Sequence, residues 1–512
     1  MFSKVWSSTT IGVDALPIAI ETHITGGMPA YTVVGLPDSA VRESLDRIFA
    51  ALSNTGLPRP RGRITVNLAP ADVRKEGSAF DLPIAIGLLA AYGDYLVPAK
   101  LSNTALMGEL ALDGHVRPVR GVLPMALQTR KEGRTVLIVP KENAAEAAVV
   151  EGLTVYPVET LPDAVDILSG EGGPAPFTQD VNALFRQARQ HHVDFSEVRG
   201  QQNVKRALEV AAAGGHNGLL VGPPGSGKTM LARRLPTILP PLSPGEALET
   251  TKIHSIDGKL NGRGLVATRP FRAPHHTISD AGLCGGGAHP MPGEISLAHH
   301  GVLFMDELPE FKRQVLEVLR QPLEEGRITI SRARFSVEYP ARFMMLASMN
   351  PCPCGYLTDP NRECVCAPPQ VQRYLGKISG PLLDRIDLHI EVTPVPFDDL
   401  DGPHDGERSA AVRERVIAAR ERQALRYADT PDVHCNAQMR SRQVRRHCTL
   451  DAQGKQLLKT AIRKLGLSAR AFDRILKVSR TIADLEAAPD ITPSHLSEAI
   501  QYRSLDRNWW HG

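Results

Sequence analysis

The stretch Gly218-Leu-Leu-Val-Gly222-Pro223-Pro224-Gly225-Ser226-Gly227-Lys228-Thr229 decides the fold. The apolar residues before Gly222 predict a buried strand and Met-Leu-Ala-Arg-Arg after Thr229 predicts a helix, so the glycine-rich turn sits at a strand-to-helix junction. There, glycines let the backbone wrap a phosphate chain with several N–H groups pointing inward, and the helix N-terminus adds partial positive charge. Lys228 is placed to reach the β- and γ-phosphates, and the Thr229 hydroxyl to ligate Mg²⁺. Residues 222–229 are therefore the expected ATP site, and the surrounding fold is expected to be α/β.

Downstream, Gly301-Val-Leu-Phe-Met-Asp306-Glu307 reads as a second buried strand ending in two acids, as the carboxyl edge of a parallel sheet requires of a ligand site. Asp306 is expected to hold Mg²⁺ through water, and Glu307 to polarise the attacking water. A third apolar strand, Phe343-Met-Met-Leu-Ala-Ser-Met, ends at Asn350, a polar residue able to orient water near the γ-phosphate. Two arginines follow, Arg385 in Gly380-Pro-Leu-Leu-Asp384-Arg385-Ile-Asp387 and Arg470 in Ser468-Ala-Arg470. Taken alone, each reads first as a surface or salt-bridge residue.

At 512 residues the chain exceeds one compact core. Residues 1–170 read as mixed α/β, with strands expected at 31–34, 64–68 and 135–139 and helices at 39–53 and 143–151. The Gly- and Pro-rich run 170–177 opens an expected linker, 171–195. Residues 196–400 carry the phosphate motifs. Residues 401–512 read as helical, at 407–428, 441–465, 468–485 and 493–502, several with Ser or Thr in an N-cap position. Apolar residues make up 42% and charged residues 22%, an ordinary globular balance. No apolar run of signal-peptide length opens the chain, and the longest, 82–92, is about half the roughly 20 residues of a membrane helix. A cytoplasmic protein without a membrane partner is expected.

Seven cysteines in so long a chain do not read as a disulfide framework. Four of them cluster as Cys352-Pro-Cys354-Gly355 and Cys364-Val-Cys366. Four thiolates suit tetrahedral Zn²⁺, and Pro353 and Gly355 favour a tight knuckle; a reduced, metal-free loop is the alternative. Charge is also uneven. Between Cys435 and Arg480 lie twelve Lys and Arg residues against two Asp, whereas the whole chain is only +3. Such a patch fits a phosphate backbone, and without a base-reading motif the binding would be sequence-independent and salt-sensitive. A solvated helical face is the alternative.

The order of phosphate loop, Asp-Glu strand, Asn-ended strand, Leu-Leu-Asp-Arg-Ile-Asp and Ser-Ala-Arg resembles the magnesium-chelatase-like branch of AAA+ ATPases. Phe271-Arg-Ala-Pro-His275-His276-Thr and Pro292-Gly-Glu294-Ile-Ser-Leu-Ala-His-His-Gly301 agree, and the likeness is closest to the YifB/ComM family, over essentially the whole chain. The resemblance implies a P-loop AAA+ αβα core, a C-terminal helical lid and an N-terminal α+β Lon-protease-like domain. It implies a sensor 1 role for Asn350, an arginine finger at Arg385 and a sensor 2 arginine at Arg470, which could serve its own or a neighbour's site. A finger acts on a neighbour's ATP, so it also implies a homo-oligomeric, hexameric ring. His275 and His276 are expected to be structural.

Arg74-Lys75-Glu76-Gly77-Ser78-Ala79 resembles the nucleophile region of Lon, and the run from Gly108 to Gly121 its lysine region. Aligned by hand, however, the nucleophile position falls on Ala79 and the lysine position on Leu123, and no lysine occurs between Lys100 and Lys131. A Ser-Lys dyad is therefore not expected, and the domain reads as a scaffold. The family implies an ATP-driven DNA helicase that migrates branches during recombination of incoming DNA in natural transformation. A magnesium-chelatase motor subunit inserting metal into a porphyrin is the alternative; the Lon-like domain and the cysteine cluster, which such a motor does not need, weigh against it. A non-hydrolysing scaffold is disfavoured by Lys228, Asp306 and Glu307.

Overall fold

A computed structural model describes residues 1–93, 96–187, 192–260, 262–287, 290–332, 335–360, 362–396, 406–430, 433–466, 468–503 and 505. The expected boundary between core and lid, at 400/401, lies outside the described residues.

The N-terminal segment is built on a seven-stranded mixed sheet. From edge to edge its strands are Ala30–Val34, Arg63–Ala69, Asp14–Thr25, Phe2–Ile11, Thr104–Leu106, Val136–Pro140 and Thr154–Val158. The first two strands in the chain form a long antiparallel hairpin, with Phe2 opposite His23 and Ile11 opposite Asp14. Helices Ser39–Asn54 and Asp81–Tyr92 pack on this sheet around a core that includes Ile20, Ile48, Leu52, Val66 and Leu88. The expected helix at 143–151 is only a short turn, Ala144–Ala147. The stretch 171–195 carries a helix, Val181–Gln187, whose Val181, Leu184 and Phe185 pack against Leu242, Ala247 and Leu265.

The second unit is a five-stranded parallel sheet in the order Phe271–Arg272, Val302–Met305, Met344–Met349, Gly218–Val221, Leu388–Glu391. The strands 218–221, 302–305 and 344–349 are buried along their whole length, which is why they read as unbroken apolar runs. Parallel neighbours bring all three carboxyl ends to one edge, and this places the phosphate loop, the acid pair and Asn350 together.

The C-terminal helices are Ser409–Arg426, Ser441–His447, Ala452–Leu465, Ala469–Leu485 and Pro493–Gln501. The expected single helix over 441–465 is broken after His447, because Asp451 caps a new helix by accepting the Gly454 N–H at 2.6 Å. Ser468 caps the next helix through the Ala471 N–H. The lid packs on helix Gln202–Gly214 in one continuous core joining Leu208 and Ala211 to Val416, Ile475 and Ile482. Polar ties reinforce it: His216 Nε2 meets Thr481 Oγ1 at 2.8 Å, and Arg474 is paired with Asp387.

The N-terminal unit touches the ATPase core along helix Pro244–Asp257. The Gly121 N–H donates to the Ser255 carbonyl at 3.1 Å and the Leu123 N–H to the Ser255 hydroxyl at 3.4 Å, while Lys252 reaches Asp14 at 3.1 Å. Among the described residues no helix is long and apolar enough to cross a membrane.

Candidate functional site

The phosphate loop runs Gly222-Pro223-Pro224-Gly225-Ser226-Gly227 into helix Lys228–Ile238. Gly225 and Gly227 stand at φ +79° and +86°, left-handed angles that a side chain would strain, so the turn needs glycine there. Ser226 closes the loop by donating to the Pro223 carbonyl at 2.9 Å. Lys228 folds back over it, donating to the carbonyls of Gly222 and Pro223 at 2.8 Å each and to Asn350 Oδ1 at 3.3 Å. Burial lowers the Lys228 pKa, with Asp306 and Glu307 opposing the shift.

Thr229 Oγ1 donates to Asp306 Oδ2 at 2.9 Å, so the two groups expected to share Mg²⁺ already face each other. The other Asp306 oxygen accepts from Ser348 Oγ and from the Glu307 N–H, the latter at 3.2 Å. Glu307 itself stands at φ +55°, a conformation rare outside glycine that turns its half-exposed carboxylate out from the strand end. A hydroxyl, a carboxylate and a lysine converging on a glycine-lined turn suit a Mg²⁺-bound triphosphate.

Arg385 and Arg470 have other partners. Arg385 is buried, paired with Glu324 and donating to the Pro381 carbonyl at 2.6 Å. Arg470 is exposed and reaches Asp384, the residue next to Arg385, at 3.5 Å. Among the described residues neither is hydrogen-bonded or ion-paired to Lys228, Thr229, Asp306 or Glu307.

Three residues that sequence reasoning passed over or assigned elsewhere belong to the site. Ser348 sits two residues before Asn350, on the same strand face, and links Asp306 to the Glu307 N–H; a lone hydroxyl inside an apolar strand was the available signal. His276, expected to be structural, has Nδ1 3.6 Å from the Glu307 carboxylate and its ring edge-on to Phe311. Gln201, at φ +57°, ties the Ser226 carbonyl of the loop to the Thr393 carbonyl beyond the last strand; nothing in its sequence context marks it.

Cys352, Cys354, Cys364 and Cys366 converge, with all four sulfurs within 4.8 Å of one another and none in a disulfide. Cys352 Sγ lies 3.3 Å from Cys354 Sγ and 3.6 Å from Cys364 Sγ. Zn–S bonds of about 2.3 Å in a tetrahedron put sulfurs about 3.8 Å apart, so the cluster is nearly at coordinating size. Backbone N–H groups, that of Tyr356 foremost, pull the Cys354 thiol down to about 6, while the Cys352, Cys364 and Cys366 thiols are pushed up, so without a cation the cluster shares few negative charges. A second group, Glu249, His299 and His300, is equally close in space but chemically unlike a metal site. His299 Nδ1 accepts the Arg342 N–H at 3.0 Å, which leaves the ring proton on Nε2, facing Glu249 at 3.3 Å. That nitrogen donates where a metal needs a lone pair.

Of the twelve basic residues, three are structural. Arg474 pairs with Asp387, Arg480 with Asp484, and Lys477 donates to the Ala437 carbonyl. The other nine, Arg440, Arg442, Arg445, Arg446, Lys455, Lys459, Arg463, Lys464 and Arg470, are exposed. In the N-terminal unit Ser78 donates to the Glu109 carboxylate, and the buried Lys75 is spent on the carbonyls of Pro70 and Val73. The hydroxyl and the amine thus have separate partners. Leu123, the aligned lysine position, is buried where the unit meets Ser255.

Comparison with known proteins places this geometry. Residues 194–400 match the model described as magnesium chelatase, subunit ChlI; residues 20–143 match subunit ChlI of Mg-chelatase, and residues 406–503 its C-terminal part. Competence protein ComM of Haemophilus influenzae is 47% identical over 506 residues, covering 98% of this chain and 97% of that protein. The uncharacterized protein YifB of Salmonella typhimurium is 46% identical over 507 residues, covering 98% and 97%. A shorter likeness, 26% identical over 169 residues and covering 31% of this chain and 21% of the other, is to Lon protease of Brevibacillus choshinensis. With a P-loop αβα core, a helical lid and a Lon-like N-terminal unit, matched end to end, the chain belongs to the YifB/ComM family of magnesium-chelatase-like AAA+ ATPases.

Proposed function

We propose that the chain is the subunit of a cytoplasmic, hexameric ring motor that binds DNA and uses ATP hydrolysis to migrate branches during recombination of incoming DNA in natural transformation. The observation that carries the motor reading is the convergence of Lys228, Thr229, Asp306, Glu307 and Asn350 on one loop. In it, residues 222–229 would hold the triphosphate, and Thr229 and Asp306 would hold Mg²⁺, which would supply charge neutralisation for the transferred phosphate. Glu307 takes the proton of the attacking water, and Asn350 orients that water. Arg385 is paired with Glu324 and Arg470 with Asp384, and neither is bonded to its own subunit's cluster, which supports Arg385 acting on the neighbouring subunit's ATP and leaves Arg470 to serve either site. The cysteine cluster holds one Zn²⁺. The units fall at 1–170, 196–400 and 401–512.

The DNA role draws support from the exposed basic lid face and from the competence name of a relative matched over nearly its whole length. A magnesium-chelatase-type motor is the competing reading, favoured by the family description. ATPase assays with and without single-stranded or branched DNA, followed by Holliday-junction migration, separate the two. DNA-stimulated hydrolysis with junction movement supports the first. Hydrolysis indifferent to DNA, with no migration, removes it in favour of the second.

A further inference from the structure

The last residue of the sensor strand and the segment after it touch the phosphate loop at three places along the loop. At its start, the Gly222 N–H donates to the Met349 carbonyl at 3.2 Å. At its end, Lys228 reaches Asn350. Between them, Gly355 of the cysteine knuckle sits directly on Pro224. A Cβ at Gly355 would stand 2.5 Å from Pro224 Cδ and 2.7 Å from Cγ, closer than real Cβ atoms come, and the proline ring is too rigid to yield. Gly355 also has φ +88°, so both its backbone angle and the lack of space require glycine.

The knuckle has no regular secondary structure to fix its shape, only scattered local bonds. Between Gly355 and Cys366 no helix or strand is described, and Val365 is 85% exposed. Its internal ties among the described residues include the Gly355 N–H to the Cys352 carbonyl at 3.0 Å, the Asp359 N–H to the Tyr356 carbonyl at 3.1 Å, Arg362 to the Tyr356 hydroxyl at 2.6 Å, and N–H groups of Cys354 and Cys366 aimed at cysteine sulfurs at 3.4 Å. A loop of this kind is ordered by a cross-link rather than by burial. We propose that the cysteine knuckle is a positioning element for the phosphate loop: a Zn²⁺ held by Cys352, Cys354, Cys364 and Cys366 keeps Gly355 seated on Pro224 and thereby sets how tightly ATP is held. This rests on reading the cluster as a zinc site. The four thiols give their protons to solvent as the metal enters, and no redox change is involved.

The test uses full-length, tag-free protein. Zinc per chain is measured by elemental mass spectrometry, and affinity for a fluorescent ATP analogue with Mg²⁺ is measured before zinc removal by a chelator, after it, and after zinc is restored. The expected result is one zinc per chain, roughly tenfold weaker nucleotide binding on removal, and recovery on restoration. Gly355→Ala is expected to keep its zinc yet bind nucleotide comparably weakly. Zinc that leaves while affinity stays within about twofold overturns the coupling and leaves the zinc site standing. No zinc as purified, and none taken up, overturns the metal reading and the coupling together.

Discussion

Thr229 and Asp306, 77 residues apart in the chain, are joined by a 2.9 Å hydrogen bond from hydroxyl to carboxylate. The strand carrying Asp306 and the helix carrying Thr229 therefore present one Mg²⁺-sized meeting point, with Glu307 the next residue. Glu307→Gln keeps the shape and loses the proposed base. It is expected to bind ATP normally while hydrolysis falls by roughly 10²–10⁴-fold, read by nucleotide binding and phosphate release on the same preparation. Lys228→Ala should instead lose binding; hydrolysis at the wild-type rate in that variant would take the loop out of the mechanism.

Arg385 is buried against Glu324, so the proposed service to a neighbour's ATP requires assembly to draw it out. Arg385→Ala is expected to cut ATPase by about 10³-fold while leaving nucleotide binding intact. Mixing it with Lys228→Ala subunits tests the geometry: interfaces pairing an intact loop with an intact arginine recover activity above either variant alone. No recovery, in rings shown to be mixed, assigns Arg385 to its own subunit.

The phosphate loop and acid pair were legible because each combines a four-residue buried strand with polar residues at its carboxyl end, and the strand signal needs no partner to be seen. The hairpin of residues 2–25 was not, because Ser7, Ser8 and Thr9 interrupt its alternation although all three are buried. Arg474 and Lys477 looked like any other lid cations. Their partners, Asp387 and the Ala437 carbonyl, come from segments that only the folded chain brings near. Ser348, for which a lone hydroxyl in an apolar strand was the one sequence signal, and His276 were passed over for the same reason: each meets an acid brought near by the fold rather than along the chain.

Glu146 is buried where the N-terminal unit meets Ser255; Asn143 donates to one of its oxygens at 2.7 Å, and this bond and those from Ser255 and the Leu123 N–H only partly offset the cost of burial. Burial raises its pKa from 4.5 to about 7. Between those values the folded state holds a proton that the unfolded chain has released. The group's contribution is therefore fully present below pH 4.5, falls as pH rises, and is lost by about 7. The loss is on the order of 3 kcal/mol. Glu146→Gln keeps the neutral form at every pH, so it is expected to melt higher than wild type at pH 8 and to lack this slope between pH 5 and 7. Parallel melting curves for the two proteins across that range would remove Glu146 as the cause.

The lid separates two kinds of basic residue, and they fail differently. Lys455, Lys459, Arg463 and Lys464 are exposed on helix Ala452–Leu465, where neutralising them leaves the core untouched. If that face holds the DNA backbone, changing all four to Gln lowers affinity and reduces the slope of log affinity against log salt by about 3, with melting temperature unchanged. Arg474→Ala does the reverse. It strands the buried Asp387 carboxylate, which Arg474 and His216 hold well below the ordinary carboxylate range, and costs about 3 kcal/mol of stability. Its salt slope should match wild type, because Arg474 is already committed inside the protein. A quadruple variant whose DNA binding keeps the full slope would move the DNA contact off the lid, leaving the motor reading intact but its track elsewhere on the ring.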